Sequence, residues 1–332
     1  MPTGRSPHAR RVVACVGALA LGLAACGDGR DGSGGGAPAA SSTARAATPR
    51  PAAPPRPALC GPVRRRVTGH VAAPQATELS GLVASPDQPG VLWTHNDSGD
   101  KPRILAVRAD GTLLADLDVP GAEALDWEDL AIGPGPGGRA LYLGDIGDNA
   151  QARETIDVYR VREPQAAAAA SGATAPAERL RLRYPDGPHD AETLLVAPRG
   201  RELVVVTKQL SGESGVYTTR VPAGAVAPDA APLPLRRVAA LHLGLGGLAT
   251  AGDVSADGRV VVVRTYTGYF AWTVAQGATL AATLKRAPCR GTIGLGDEGQ
   301  GEALALSAHG GAFSTVPEGT GAAIRRYAAA RR

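Results

Sequence analysis

One arrangement of apolar and polar positions recurs five times along the chain. Each copy opens with a short apolar strand, passes through a turn rich in Gly, Pro and Asp, and enters a second, more strongly apolar strand. The opening segments are Ser80–Pro86, Glu128–Pro134, Glu192–Pro198, Thr250–Ala256 and Glu302–Ala308. The second strands begin at Val91, Ala140, Leu203, Val260 and, more weakly, Ala312. A third strand is expected at Arg103–Arg108, Thr155–Val161, Gly215–Val221 and Gly268–Val274. A fourth is expected at Thr112–Leu117, Arg179–Tyr184, Leu235–Leu241 and Thr279–Leu284. Strict alternation, as in Arg179–Tyr184, marks an outer strand with one wet face. No long amphipathic helix intervenes; residues 165–177 are an Ala-rich insertion, helical or irregular.

Four-stranded units repeated around a centre predict an all-β fold, a β-propeller. The repeats start at 80, 128, 192, 250 and 302, which gives five blades. Six or seven blades follow if an insertion hides another, and a β-sandwich is the rival fold. After residue 302 the chain has only enough length for three strands. The missing fourth is supplied by 65–72, and pairing first strand with last closes the ring and removes exposed edges.

The N-terminal pattern differs. Arg5, Arg10 and Arg11 precede an apolar run from Val12 to Ala25, too short to span a bilayer and the right size for the core of a secretion signal. It ends in Leu23-Ala24-Ala25-Cys26, which resembles the bacterial lipobox. That resemblance implies a signal at 1–25, lipidation at Cys26 and a protein held by acyl chains on the extracytoplasmic face of the cell membrane. Residues 26–59 are mostly Gly, Ala, Pro, Ser and Thr and read as a disordered tether. The folded domain is then 60–332.

This division changes the meaning of the charge. The chain has 35 basic and 31 acidic residues. The first 59 hold seven Arg and two Asp, leaving 28 basic and 29 acidic residues in 60–332. The basic excess belongs to the signal and tether, so it gives no argument for nucleic-acid binding. The two cysteines of the domain, Cys60 and Cys289, are expected to pair in an oxidising compartment, one before the closing strand and one at the end of the fourth blade.

Aligning the five opening strands gives the column Ser80, Glu128, Glu192, Thr250, Glu302. Two residues earlier stand Glu78, Asp126, Asp190, Leu248 and Gln300, on the same face of an extended chain. The loops after the second strands add Asn96, Asp97, Asp145, Asp148, Asn149, Lys208, Arg264, Tyr266 and Glu318. Clustered carboxylates repel unless protonated, paired or bound to a cation. Oxygen donors with few histidines suit calcium or magnesium better than zinc. The candidate metal ligands are Glu128, Glu192, Glu302, Asp148, Asn149 and Asp253. Asp97, Asp148 and Asn149 read equally well as turn formers, and the three glutamates can also be read as pairing with Arg264. Trp93, Trp127 and Trp272 read as packing between blades.

Gly294–Gly299 fits a three-glycine dinucleotide pattern but lacks the strand and helix that give it meaning. No phosphate-binding lysine loop, nucleophile elbow or zinc-protease motif occurs. Leu92–Gly99, Asp126–Asp129, Gly144–Asn149, Asp190–Thr193 and Gly301–Leu304 together resemble secreted bacterial propellers grouped with phytase-like esterases, which share the propeller theme of calcium-dependent lactonases. The resemblance implies metal held by channel carboxylates and an Asn. The expected function is a monomeric, membrane-tethered module that binds a small anionic ligand or an envelope protein at a calcium-dependent mouth. The competing expectation is a metal-dependent hydrolase of phosphate esters or lactones, with Glu128, Glu192, Lys208 and Arg264 as catalytic candidates. A third makes the propeller a structural platform.

Overall fold

Apolar runs of five or six residues broken by glycine turns cannot bury both faces within one sheet, so they stack sheet against sheet. The computed structural model describes residues 54–166 and 170–330; the signal, Cys26 and most of the tether lie outside the described residues. Five small sheets are arranged as blades, each antiparallel through its four main strands. Blade one holds Leu79–Ala84, Val91–Asn96, Arg103–Arg108 and Leu113–Asp118. Blade two holds Trp127–Gly135, Gly138–Asp145, Ile156–Arg162 and Glu178–Arg183. Blade three holds Ala191–Val196, Glu202–Thr207, Glu213–Arg220 and Arg236–His242. Blade four holds Ala249–Val254, Val260–Thr265, Gly268–Thr273 and the short Cys289–Arg290. Blade five holds Ala303–Leu306, Ala312–Val316 and Ala323–Ala329, and its outer strand is Val63–His70 from the N-terminal end of the domain.

The expected closure is therefore present, with Val63 opposite Ala329 and His70 opposite Ala323. The Cys60–Cys289 disulfide joins the chain entering that closing strand to blade four. Five apolar cores fill the five gaps between neighbouring blades, the last between blades five and one, where Val316 and Ile324 meet Leu82 and Leu105. This closed circuit fixes the count at five. All three tryptophans pack in inter-blade cores, and each indole N–H finds an acceptor: Glu163 for Trp93, the Glu123 carbonyl for Trp127 and the Arg286 carbonyl for Trp272.

Two expected elements differ. Thr279–Leu284 is not the outer strand of blade four; Leu280–Leu284 is a short helix. The Thr279 hydroxyl accepts from Ala282 N–H at 3.0 Å, and the Glu202 carboxylate of blade three accepts from the N–H groups of Leu280 and Ala281 at 2.7 and 2.9 Å. Those bonds satisfy the open first turn of a helix, and the strand position passes to Cys289–Arg290. The Ala-rich insertion carries a four-residue strand, Ala170–Ala173, parallel to the outer strand of blade one. Among the described residues, no helix is long and apolar enough to cross a membrane.

Candidate functional site

The inner strands crowd the axis and bond to one another. The Ser80 hydroxyl donates to the Glu128 carbonyl, tying blade one to blade two. The Thr250 hydroxyl donates to the Gly301 carbonyl at 3.1 Å, tying blade four to blade five. The column read from the sequence thus divides by chemistry: its two hydroxyls close the ring, and its three glutamates are left for the mouth.

Each inner strand of blades two to four steps over one residue near its start, at Glu128, Glu192 and Thr250. Such bulges re-aim a side chain at the end of a ladder. Glu128 is 2% exposed and makes no side-chain hydrogen bond among the described residues. Its carboxylate comes together with those of Asp97 and Asp126, and a second group is formed by Asp97, Glu302 and Glu318. Within each group, one oxygen from every residue lies within 4.8 Å of the others. Asp97 belongs to both, so the five acids form one continuous cup. Gly147 walls it: a Cβ there would run into the Asp126 and Glu128 carboxylates.

Lys208, Glu192 and Tyr266 stand at the same end. Lys208 is ion-paired with Glu192, and its ammonium lies 5.7 Å from the centre of the Tyr266 ring. The Tyr266 hydroxyl donates to Glu302 at 2.5 Å. The second Glu192 oxygen is buried without a partner.

Burial and like charge push the cup toward protonation. Burial raises Glu128 well above the usual carboxylate range; the charges of Asp97, Asp126 and Glu302 add to it, and Lys208 opposes. Asp97 is pushed up to about 6 by burial, partly offset by the Ser98 N–H, with Asp126, Glu302 and Glu78 as like-charged neighbours. Glu318 is pushed up to about 8, by burial first and then by Glu302. Asp126 rises through burial and the charge of Asp190.

The other sequence candidates are placed elsewhere. Asp148 accepts from Ala152 and Arg153 N–H at 2.9 and 2.8 Å and shapes its own turn, beside the exposed Asn149. Asp253 lies deeper along the axis, where it accepts from Val254 and Leu306 N–H, both at 2.7 Å, and burial pushes it up to about 8. Arg264 is fully buried, 3.2 Å from Glu298, and donates to the Ala303 carbonyl at 2.9 Å. Nη1 bonds the wall between blades four and five, while Nε and Nη2 are buried with no hydrogen-bond partner, Nη2 being the atom that faces Glu298. Asn96 bonds Thr77 N–H at 3.1 Å and the Gln75 carbonyl at 2.7 Å and holds the loop before blade one. The ligand list read from the sequence omits Asp97, Asp126 and Glu318, although all three stand in loops or columns it had marked. Glu318 follows the second strand of blade five just as Asp97 follows that of blade one.

The donor set fits a hard cation. Calcium holds oxygens at about 2.3–2.6 Å, so ligands on opposite sides of it stand about 5 Å apart. The observed 4.8 Å groups fall inside that span. The unbonded Glu128 carboxylate and the Gly147 wall leave oxygen lone pairs free to face an ion.

No family model and no curated protein sequence matches the chain. Among solved structures, a gluconolactonase from Xanthomonas campestris is similar, at 16% identity over 84% of this chain and 99% of that one, with a TM-score of 0.42. A protein of unknown function from Desulfotomaculum acetoxidans shares 15% identity over 72% of this chain and 65% of its own, at 0.38. A protein assigned as a 6-phosphogluconolactonase from Bacteroides uniformis shares 13% over 74% and 66%, at 0.36. The five-bladed ring rests on the chain's own sheets and inter-blade cores.

Proposed function

We propose that this chain is a membrane-tethered, extracytoplasmic propeller whose acidic cup binds calcium and presents it, beside Lys208, to a small anionic ligand. The observation that carries this reading is the sharing of Asp97 by two carboxylate groups, with the buried Glu128 left free of hydrogen bonds. Five carboxylates at one end of the axis are a poor structural choice without a counter-ion, since burial and mutual repulsion both oppose their ionisation. A bound cation removes both penalties. It also supplies the positive charge that an anion needs in an otherwise acidic mouth.

A second reading, a metal-dependent hydrolase of phosphate esters or lactones, is favoured by one arrangement. Lys208 and Tyr266 stand at the lip, Lys208 ion-paired with Glu192 and the Tyr266 hydroxyl donating to Glu302. Such groups, next to a cation, could hold a scissile oxygen and manage its proton.

Thermal melting in calcium and in chelator tests the shared premise. Calcium should raise the melting temperature of the wild type and leave Glu128→Gln nearly unmoved. An equal melting temperature in both conditions contradicts the premise. A phosphoester and lactone screen with and without calcium then separates the two readings.

A further inference from the structure

A basic rim, opposite in charge to the cup, lies along the outer edges of blades four and five where the tether joins the domain. Segments 54–70, 285–298 and 323–330 contain nine Lys and Arg and two acids, Asp297 and Glu298. Asp297 is ion-paired with Arg65, and Glu298 is buried against Arg264. Six of the basic side chains, Arg56, Arg64, Arg66, Lys285, Arg286 and Arg290, are exposed. None has an ion-pair partner among the described residues.

These residues are gathered by the fold. Arg56 and Arg286 line one recess with Cys289, against Trp272 and Thr273. Arg290 adjoins Cys289, and the Thr292 hydroxyl donates to the Gly61 carbonyl at 2.9 Å, which holds this stretch against the entering chain. Arg64 and Arg66 share one face of the closing strand, and Arg326 lies directly across from Arg66. Charged side chains on an outermost strand discourage stray pairing. That explanation covers Arg64, Arg66 and Arg290. It does not cover Arg56, Lys285 and Arg286, which lie outside the strands.

We propose that this basic rim rests on anionic phospholipid headgroups of the membrane to which Cys26 is expected to be anchored. The inference depends on the export signal and lipidation box read from the sequence, and is independent of the cation reading of the cup. Each Lys or Arg held near an anionic bilayer surface contributes about 1 kcal/mol of attraction, so a basic patch adds to the hold of the acyl chains and orients the domain on them. Here the patch lies where the chain from Cys26 enters the domain, so an anchor at Cys26 keeps the basic rim within reach of the same membrane surface. Lipid contact at the rim leaves the cup, at the axial end of the inner strands, open to ligand.

The test is co-sedimentation of the chain from residue 26 onward carrying Cys26→Ser, so that neither an acyl anchor nor the basic, apolar signal at 1–25 contributes. The vesicles are phosphatidylcholine alone or phosphatidylcholine with 30 mol% phosphatidylglycerol. Chelator is present throughout to exclude calcium bridging. The expected result is stronger binding to the anionic vesicles, lost at high salt. Arg56→Glu, Lys285→Glu and Arg286→Glu together should weaken that binding by about a hundredfold or more, at roughly fivefold per neutralised charge. If that variant fails to fold, Arg64→Gln with Arg66→Gln and Arg290→Gln takes its place. Equal binding to both vesicle types, or anionic binding that a folded variant retains in full, overturns the proposal.

Discussion

Asp129, on the inner strand of blade two, accepts a hydrogen bond from the backbone N–H of Leu194 on blade three at 2.8 Å. The same carboxylate accepts from Gly252 N–H on blade four at 3.1 Å and from its own neighbour, Leu130, at 2.9 Å. One side chain therefore clasps three blades at the axis. Asp253 continues the pattern from blade four to Leu306 on blade five. Together with the Ser80 and Thr250 bonds, these clasps brace the strands that carry the cup.

Asp129→Ala leaves the Leu194 and Gly252 N–H groups buried without acceptors. At about 1–3 kcal/mol for each unsatisfied group, the variant should lose roughly 2–6 kcal/mol of stability. Denaturant unfolding of the two proteins measures this directly. Asp129→Asn keeps an acceptor oxygen and should fall between them.

The cup makes the cation-free protein sensitive to pH. Asp97 and Glu318 titrate at about 6 and about 8 in the fold, above their ordinary values of 3.8 and 4.5. The folded state thus binds more protons than the unfolded chain between those limits. Stability is highest at the acid end of that window and falls as pH rises toward 8. In chelator, the melting temperature should decline from pH 5 to pH 8. Calcium should flatten the decline, because the ion replaces the protons. The buried Asp253, raised to about 8, adds a slope of the same sign that calcium does not touch. A melting temperature that rises with pH in chelator would refute this electrostatic account.

Arg264 and Glu298 form a buried ion pair between blades four and five, where Glu298 also accepts from Thr315 and Tyr327 at 2.7 and 2.6 Å. Glu298→Gln keeps those acceptors and strands the guanidinium. Removing one partner of a buried pair typically costs about 3–5 kcal/mol. The variant should unfold at lower denaturant, while its calcium affinity stays within about twofold of wild type. A normal stability with lost calcium binding would instead assign Arg264 to the site.

The ring was legible in the sequence because its signals are local. Apolar runs, glycine turns and the count of strands after residue 302 suffice to call five blades and a closing strand at 65–72, which the structure places at Val63–His70. The Cys60–Cys289 pair followed from the two cysteines left in an exported domain and from their places beside the closing strand and at the end of blade four. The helix at Leu280–Leu284 did not, because Glu202, which caps it, belongs to another blade. The cup was half legible. A column of aligned strand starts yields Glu128 and Glu302. Asp97 and Glu318 sit in loops of different length, and only the folded ring brings them to the same oxygens. Arg264 looked available for the opposite reason: nothing in the local pattern shows Glu298 buried beside it.

Calcium titration by isothermal calorimetry, on the wild type and on Asp97→Asn with Glu128→Gln, tests the central claim most directly. The account predicts saturable binding in the wild type with proton release at pH 6–7, and affinity reduced at least about tenfold in the double variant as two ligand charges are lost. The double variant should also melt above the wild type in chelator, since it no longer crowds unpaired carboxylates. No heat of binding at millimolar calcium, or unchanged binding in the folded double variant, would contradict it.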